Sequence, residues 1–145
     1  MATIKQLAGT VQTLANANGS SISNGAAAAA GTDLDNTTEL AFAFDFELNG
    51  GFGSSVTAGE DIDLYLVPKL DGTNAAAADT STPLFQPDHY AGTFITPTNG
   101  TSARRMSLQS RAAGPYIYTA YLSNKSGVTL SANWTLKAYP VKAQS

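Results

Sequence analysis

The sequence predicts an all-β fold, an antiparallel β-sandwich or barrel. From residue 38 onward, apolar and polar residues alternate with a period of two, which is typical of strands that bury one face. Short stretches rich in Asn, Gly, Asp and Ser separate these segments and favour turns. No segment has a convincing helical repeat. Many short strands joined by turns are typical of a sandwich or barrel.

Six strands are predicted from this alternation, at 38–48, 61–67, 90–96, 104–109, 115–123 and 132–141. The clearest is "ELAFAFDFEL", residues 39–48, where every second residue is Leu or Phe. Such a face favours a central strand that packs into the core. The predicted core residues are Leu40, Phe42, Phe44, Phe46, Leu48, Ile62, Leu64, Leu66, Trp134 and Leu136.

The composition favours a part of a larger assembly. Charged residues are 13% of the 145 residues, where about 25% is usual, so much of the surface is neutral or covered by partners. The net charge of −3 and the scattered Lys and Arg argue against a nucleic-acid partner. No apolar run approaches the length of a membrane span. The absence of cysteine excludes disulfides and thiolate metal sites, and no cofactor is expected.

Residues 1–36 are interpreted as an arm and low-complexity linker, and residues 37–145 as the β-sandwich domain. "TIKQLAGTVQTLA" has apolar residues at helix-like spacing, but Gly9 and several β-branched residues weaken a helix, so helical and extended conformations both stay open. We expect the arm to become ordered against a partner. Its predicted partner contacts are Ile4, Leu7, Val11 and Leu14.

The candidate catalytic residues are Asp45 and Glu47, two apart on one strand face. Paired carboxylates at that spacing suit a retaining glycosidase. Their own strand face carries no aromatic ring to stack a sugar, and the neighbours are Ala41 and Ala43. An ordinary solvated face is therefore the favoured interpretation, and we expect a protein that is not an enzyme.

Three further groups of residues have alternative interpretations. The aspartates of "DLDN", "EDID" and "DGTN" suit calcium but also suit turns. The tyrosines of "PYIYTAY" suit a sugar platform but also a half-buried sheet face. The arginines suit an acidic partner or a solvated strand end. These residues are Asp33, Asp35, Asp61, Asp63, Asp71, Tyr116, Tyr118, Tyr121, Arg104, Arg105 and Arg111.

Three stretches resemble a known family when taken in order: "VTAGEDIDLYLVPKLDGTN" (56–74), "YAGTFI" (90–95) and "YLSNKSGVTLSANWTLKAYPV" (121–141). They resemble small virion proteins of tailed bacteriophages, of the capsid decoration or cement type, over residues 38–142. The resemblance implies a jelly-roll-like sandwich that forms a homotrimer on the capsid surface. It also implies the major capsid protein as partner and assembly in the host cytoplasm.

Two alternatives to a cement protein remain at this point. One is a carbohydrate-binding module, and the other is a tail or baseplate component of the same fold. If the arm interpretation holds, deletion of residues 1–20 should abolish capsid binding and leave the domain folded.

Overall fold

The computed structural model describes residues 5–75, 85–96 and 100–144, which form ten β-strands in two antiparallel sheets. The predicted all-β antiparallel sandwich is confirmed. A short 3₁₀ helix at Pro87–His89 precedes the seventh strand. The strands are β1 (Lys5–Ala8), β2 (Gln12–Ala15), β3 (Ala27–Ala29), β4 (Leu34–Asp35), β5 (Ala43–Gly50), β6 (Asp61–Lys69), β7 (Tyr90–Ile95), β8 (Arg104–Ala112), β9 (Ile117–Lys125) and β10 (Thr135–Gln144).

The strand order is that of a jelly roll. One sheet has the order β1-β10-β5-β8, with β2 also on β10, and the other has β3-β9-β6-β7, with β4 also on β9. Strands β1 and β2 pair in succession along β10, and β3 and β4 do the same along β9. Each pair is thus one interrupted edge strand. Counted this way, eight strands form two four-stranded sheets, as in a jelly roll.

The described part of the N-terminal segment, residues 5–35, pairs with strands of the sandwich. The Gly9 N–H donates to the Pro140 carbonyl at 3.0 Å, between the β1 and β2 pairings. The Ala30 N–H donates to the Ala120 carbonyl at 2.8 Å in the same way beside β9. Of the two conformations left open for "TIKQLAGTVQTLA", the structure has the extended one over the part that it describes, in Lys5–Ala8 and Gln12–Ala15. Leu14 is completely buried in the chain's own core, so its prediction as a partner contact is wrong.

The core lies between the two sheets, and most of the predicted core residues are in it. Trp134 is the largest completely buried side chain, and its indole N–H donates to the Ser20 carbonyl at 2.8 Å. Burial of one large apolar side chain stabilises the fold by ~1.5–3 kcal/mol. The predicted core residues found buried are Phe44, Phe46, Leu48, Ile62, Leu64, Leu66, Trp134 and Leu136.

Leu40 and Phe42 were predicted in the core, and both predictions are wrong. Strand β5 begins at Ala43, not at residue 38, so the alternation that continues upstream of it belongs to a loop. Leu40 has φ = +47° and is 65% exposed, and Phe42 is 46% exposed. The positive φ of Leu40 interrupts the extended backbone just before the strand, and Ala41 is buried in their place.

Within the described ranges, no helix is long and apolar enough to cross a membrane.

Candidate interaction surface

One end of the sandwich carries several large apolar side chains that are exposed to solvent, and we call it the loop end. The Phe42 carbonyl accepts the Ala113 N–H at 3.3 Å, and the Asn36 N–H donates to the Tyr116 carbonyl at 3.1 Å. These bonds tie the loop before β5 to the loop between β8 and β9. The exposed apolar residues of the loop end include Val11, Leu40, Phe42, Tyr116 and Leu70, which follows the Lys69 and Ile117 pair.

A buried asparagine fixes the loop that presents Leu40. The Asn36 side-chain amide donates to the carbonyls of Ala41 and Gly114, both at 2.9 Å, and its oxygen accepts the Ala41 N–H at 2.8 Å. The Leu40 N–H donates to the Asn36 carbonyl at 3.2 Å. Buried polar groups that are fully bonded in this way hold one conformation. Leu40 is therefore held outward by the fold itself.

The ion pair between Glu39 and Lys142 connects the same loop to the C-terminal end of β10. Their charged atoms are 2.5 Å apart. The hydrogen bond from Lys142, with smaller contributions from Thr10, lowers the pKa of Glu39. Because Thr10 adjoins Val11 in the chain, this contact places Val11 beside the Leu40 loop.

Leu40 is unfavourable for the free chain in two respects. A left-handed backbone conformation costs a residue with a Cβ about 1–2 kcal/mol. Its side chain also leaves most of its apolar surface in water. Strain and exposed apolar surface together single out Leu40 as the candidate contact residue of this surface.

The predicted partner contacts do not all lie at this surface. Ile4 is outside the described residues. Leu7 lies in β1, opposite Lys142 on β10. Val11 is 44% exposed at the loop end, and Leu14 is in the core.

Asp45 and Glu47 lie on the outer face of the first sheet, in a groove of about 450 Å³. Tyr139 is directly opposite Asp45 in the register of β10 and β5, and its side chain lines the groove. Glu47 has a long ion pair of 3.5 Å with the exposed Arg105. Reasoning along one strand missed Tyr139, because the aromatic ring is supplied by the neighbouring strand.

Four of the aspartates considered for calcium have hydrogen-bond or ion-pair partners within the protein, namely Asp33, Asp35, Asp63 and Asp71. Asp33 accepts Lys69 Nζ at 2.7 Å, and Asp63 lies 2.5 Å from Lys125 Nζ, whose pKa it raises. Asp35 accepts the N–H and hydroxyl of Thr37, and these bonds lower its pKa. In the part of the chain that the structure describes, no three His, Cys, Asp or Glu residues are grouped to hold a metal ion. Turns and ion pairs account for these side chains.

We expect the Asp71 carboxyl to titrate at a pH of about 2, far below the ordinary 3.8. It accepts the Asn74 N–H at 2.7 Å, the Thr73 N–H at 2.8 Å and the Asn74 amide at 2.8 Å. Because the pKa is lower in the folded state, the stabilisation is present above pH 3.8 and is lost as the pH falls through about 2. An NMR titration of the carboxyl carbons measures it, and a midpoint near 3.8 would contradict the turn geometry.

The tyrosines do not form one platform. Tyr121 packs against Phe85, with 5.3 Å between ring centroids, and Phe85 stacks on Tyr65 at 4.2 Å. Tyr118 lies on the opposite face of β9 from Tyr121 and meets Tyr116, which precedes β9, edge-on at 6.3 Å.

Comparisons with protein-family models, with curated proteins and with solved structures find no match for this chain.

Proposed function

We propose that the protein is a non-enzymatic structural component of a phage virion that decorates the capsid exterior and strengthens contacts between major capsid protein subunits. The observation that carries this proposal is Leu40, an exposed leucine that a buried asparagine holds in a strained conformation. The exposure of Leu40 and its strained backbone do not stabilise the fold. Both suit a residue that inserts into a partner's apolar pocket.

The low charge of the chain and its motif resemblance to decoration proteins also support the proposal. A binding surface of this kind has an apolar centre and few charges. Val11, Leu40, Phe42 and Tyr116 provide such a centre at the loop end. We further propose that a homotrimer binds the capsid, with the loop end as the capsid-facing surface. The protein would then be assembled in the host cytoplasm and located in the virion.

Co-sedimentation with purified capsids tests the role of the loop end. Leu40→Asn removes the apolar side chain and tolerates the left-handed conformation, so stability should be kept or raised by about 1 kcal/mol. Capsid binding should weaken by about tenfold or more, as expected when a central interface residue is truncated.

The control substitution is Ile95→Thr. Ile95 is 52% exposed but pairs with Asp61, at the opposite end of the sheet from the Lys69 and Ile117 pair. The two pairs lie roughly 26 Å apart along β6. Ile95→Thr should leave binding unchanged. Equal binding by wild type and Leu40→Asn would remove the basis for the loop end as the capsid-facing surface, and mass determination of the free protein tests the trimer.

A further inference from the structure

A second groove lies between the edge strands β7 and β8, beside the loop end. It has a volume of about 360 Å³ and combines polar side chains with apolar walls. Strand β7 is the edge of one sheet and β8 the edge of the other, so the fold brings together residues that are distant in the sequence. The residues used in the argument are Leu66, His89, Ala91, Arg111, Tyr116 and Tyr118.

Arg111 provides a buried cationic donor in this groove. Its Nε is buried, and no acceptor among the described residues bonds to it. The side chain passes over Gly92, where an added Cβ would lie 2.9 Å from Nε and 2.8 Å from Nη2. The glycine thus leaves room for the guanidinium. A buried donor without a partner is costly, and a bound acceptor would remove that cost.

His89 is a second polar side chain on the same groove. It is only 9% exposed, and its backbone N–H donates to the Gln86 carbonyl at 3.0 Å. Across the described ranges, no hydrogen bond to its imidazole ring is found. A neutral imidazole can donate one hydrogen bond and accept another. The buried Arg111 Nε, which has no hydrogen-bond partner among the described residues, and the His89 side chain therefore line one groove.

The other lining residues favour a ligand with a flat ring. Leu66 and Ala91 form apolar wall on the β6 and β7 side. The Tyr118 hydroxyl already bonds the Gly114 N–H at 2.7 Å and the Gly114 carbonyl at 3.1 Å, so its ring serves as wall. Tyr116 is half-exposed at the opening, where a ring can stack on it. Asp88 lies at the exposed rim and forms no ion pair with Arg111.

We propose that this groove binds a small organic carboxylate about the size of one sugar ring. The carboxylate would bond the Arg111 guanidinium and the His89 ring, and the ligand ring would lie against Tyr116. Planar carboxylates match the guanidinium fork, which makes Arg the usual residue for such ligands. The volume is within the usual range for small-molecule sites and exceeds the needs of a bare anion. The site shares Tyr116 with the loop end, but ligand binding by the free protein does not require the proposed capsid binding.

NMR titration of the ¹⁵N-labelled protein tests the proposal with four probes. Glucuronate is a sugar acid, benzoate an aromatic acid, glucose a neutral sugar, and acetate a carboxylate without a ring. We expect glucuronate or benzoate to shift the amide signals of Ala91, Gly92 and Ala112, with saturation on the order of 1 mM. The acid that binds more tightly shows whether the ligand is a sugar acid or an aromatic acid. Glucose bound as tightly as glucuronate, acetate bound as tightly as both acids, or no saturable shift would each overturn the proposal.

Substitutions of Arg111 locate the site. Arg111→Gln should weaken binding by about tenfold or more, since a charge-assisted hydrogen bond is lost. Arg111→Lys keeps the positive charge but lacks the planar guanidinium, so the loss of affinity should be intermediate. The control is Arg105→Gln, an exposed arginine on the same strand roughly 20 Å away, which should bind normally.

Thermal unfolding checks that each variant is folded. If Arg111→Gln does not fold, Arg111→Lys and His89→Gln serve the same purpose, and both should weaken binding. Unchanged affinity in every folded variant of Arg111 and His89 would place the ligand elsewhere and overturn the assignment.

Discussion

Phe44→Ala is expected to lower the free energy of unfolding by ~3–5 kcal/mol. Phe44 is completely buried on the inner face of β5, a strand with partners on both sides, β10 and β8. Its ring lies 6.2 Å from that of Phe46, so truncation leaves a cavity beside a large neighbour. Urea unfolding at fixed pH, with the slope of the transition compared between variants, measures the change.

The matched control is Phe42→Ala, two residues earlier in the same alternating stretch. Phe42 is half-exposed in the loop before β5, so its truncation should cost about 1 kcal/mol or less. The sequence pattern treats the two phenylalanines as equivalent, whereas the structure separates them. Equal destabilisation by both substitutions would show that β5 begins before Ala43, as the pattern predicts.

The comparison of Phe42 with Phe44 shows what alternation can predict. Each of the six predicted strands overlaps an observed one, because large apolar residues at every second position report a buried face. The interrupted edge strands were not predicted, because they lack large apolar residues at every second position. Strand β3 is three alanines, and β2 contains one large apolar residue, Leu14. Edge strands of this kind are held by pairing with β9 and β10, which no local pattern records.

The loop end and the Arg111 groove depend on contacts that are distant in sequence. The Asn36 side chain bonds Gly114, 78 residues away, and these bonds set the direction of Leu40. The alternation in "ELAFAF" correctly predicted apolar side chains but not which of them the fold turns outward. Likewise, His89 and Arg111 have no shared motif, and only the adjacency of β7 and β8 brings them together. Each residue type was visible in the sequence, but the arrangement required the fold.

Deletion of residues 1–20 is expected to unfold the domain, the opposite of the result predicted for an independent arm. The deletion removes β1 and β2 from the edge of the first sheet and Leu14 from the core. It also removes Gly19 and Ser20, which cover the indole ring of Trp134. Trp134 is the only tryptophan in the chain, so its fluorescence reports on this region. A red-shifted emission and the loss of NMR dispersion are the expected results.

A pair of glycine substitutions tests the same packing without shortening the chain. At Gly19 an added Cβ would lie 2.1 Å from the Trp134 ring, so Gly19→Ala forces the buried indole to move and should cost about 1–3 kcal/mol or more. At Gly31 the nearest atom would be Asn18 Nδ2, at an ordinary 3.6 Å, so Gly31→Ala should be neutral or slightly stabilising. Both glycines lie in the segment interpreted from sequence as a linker. A linker would tolerate both substitutions equally, whereas an edge packed on the core tolerates only the second, and wild-type stability of Gly19→Ala would restore the linker interpretation.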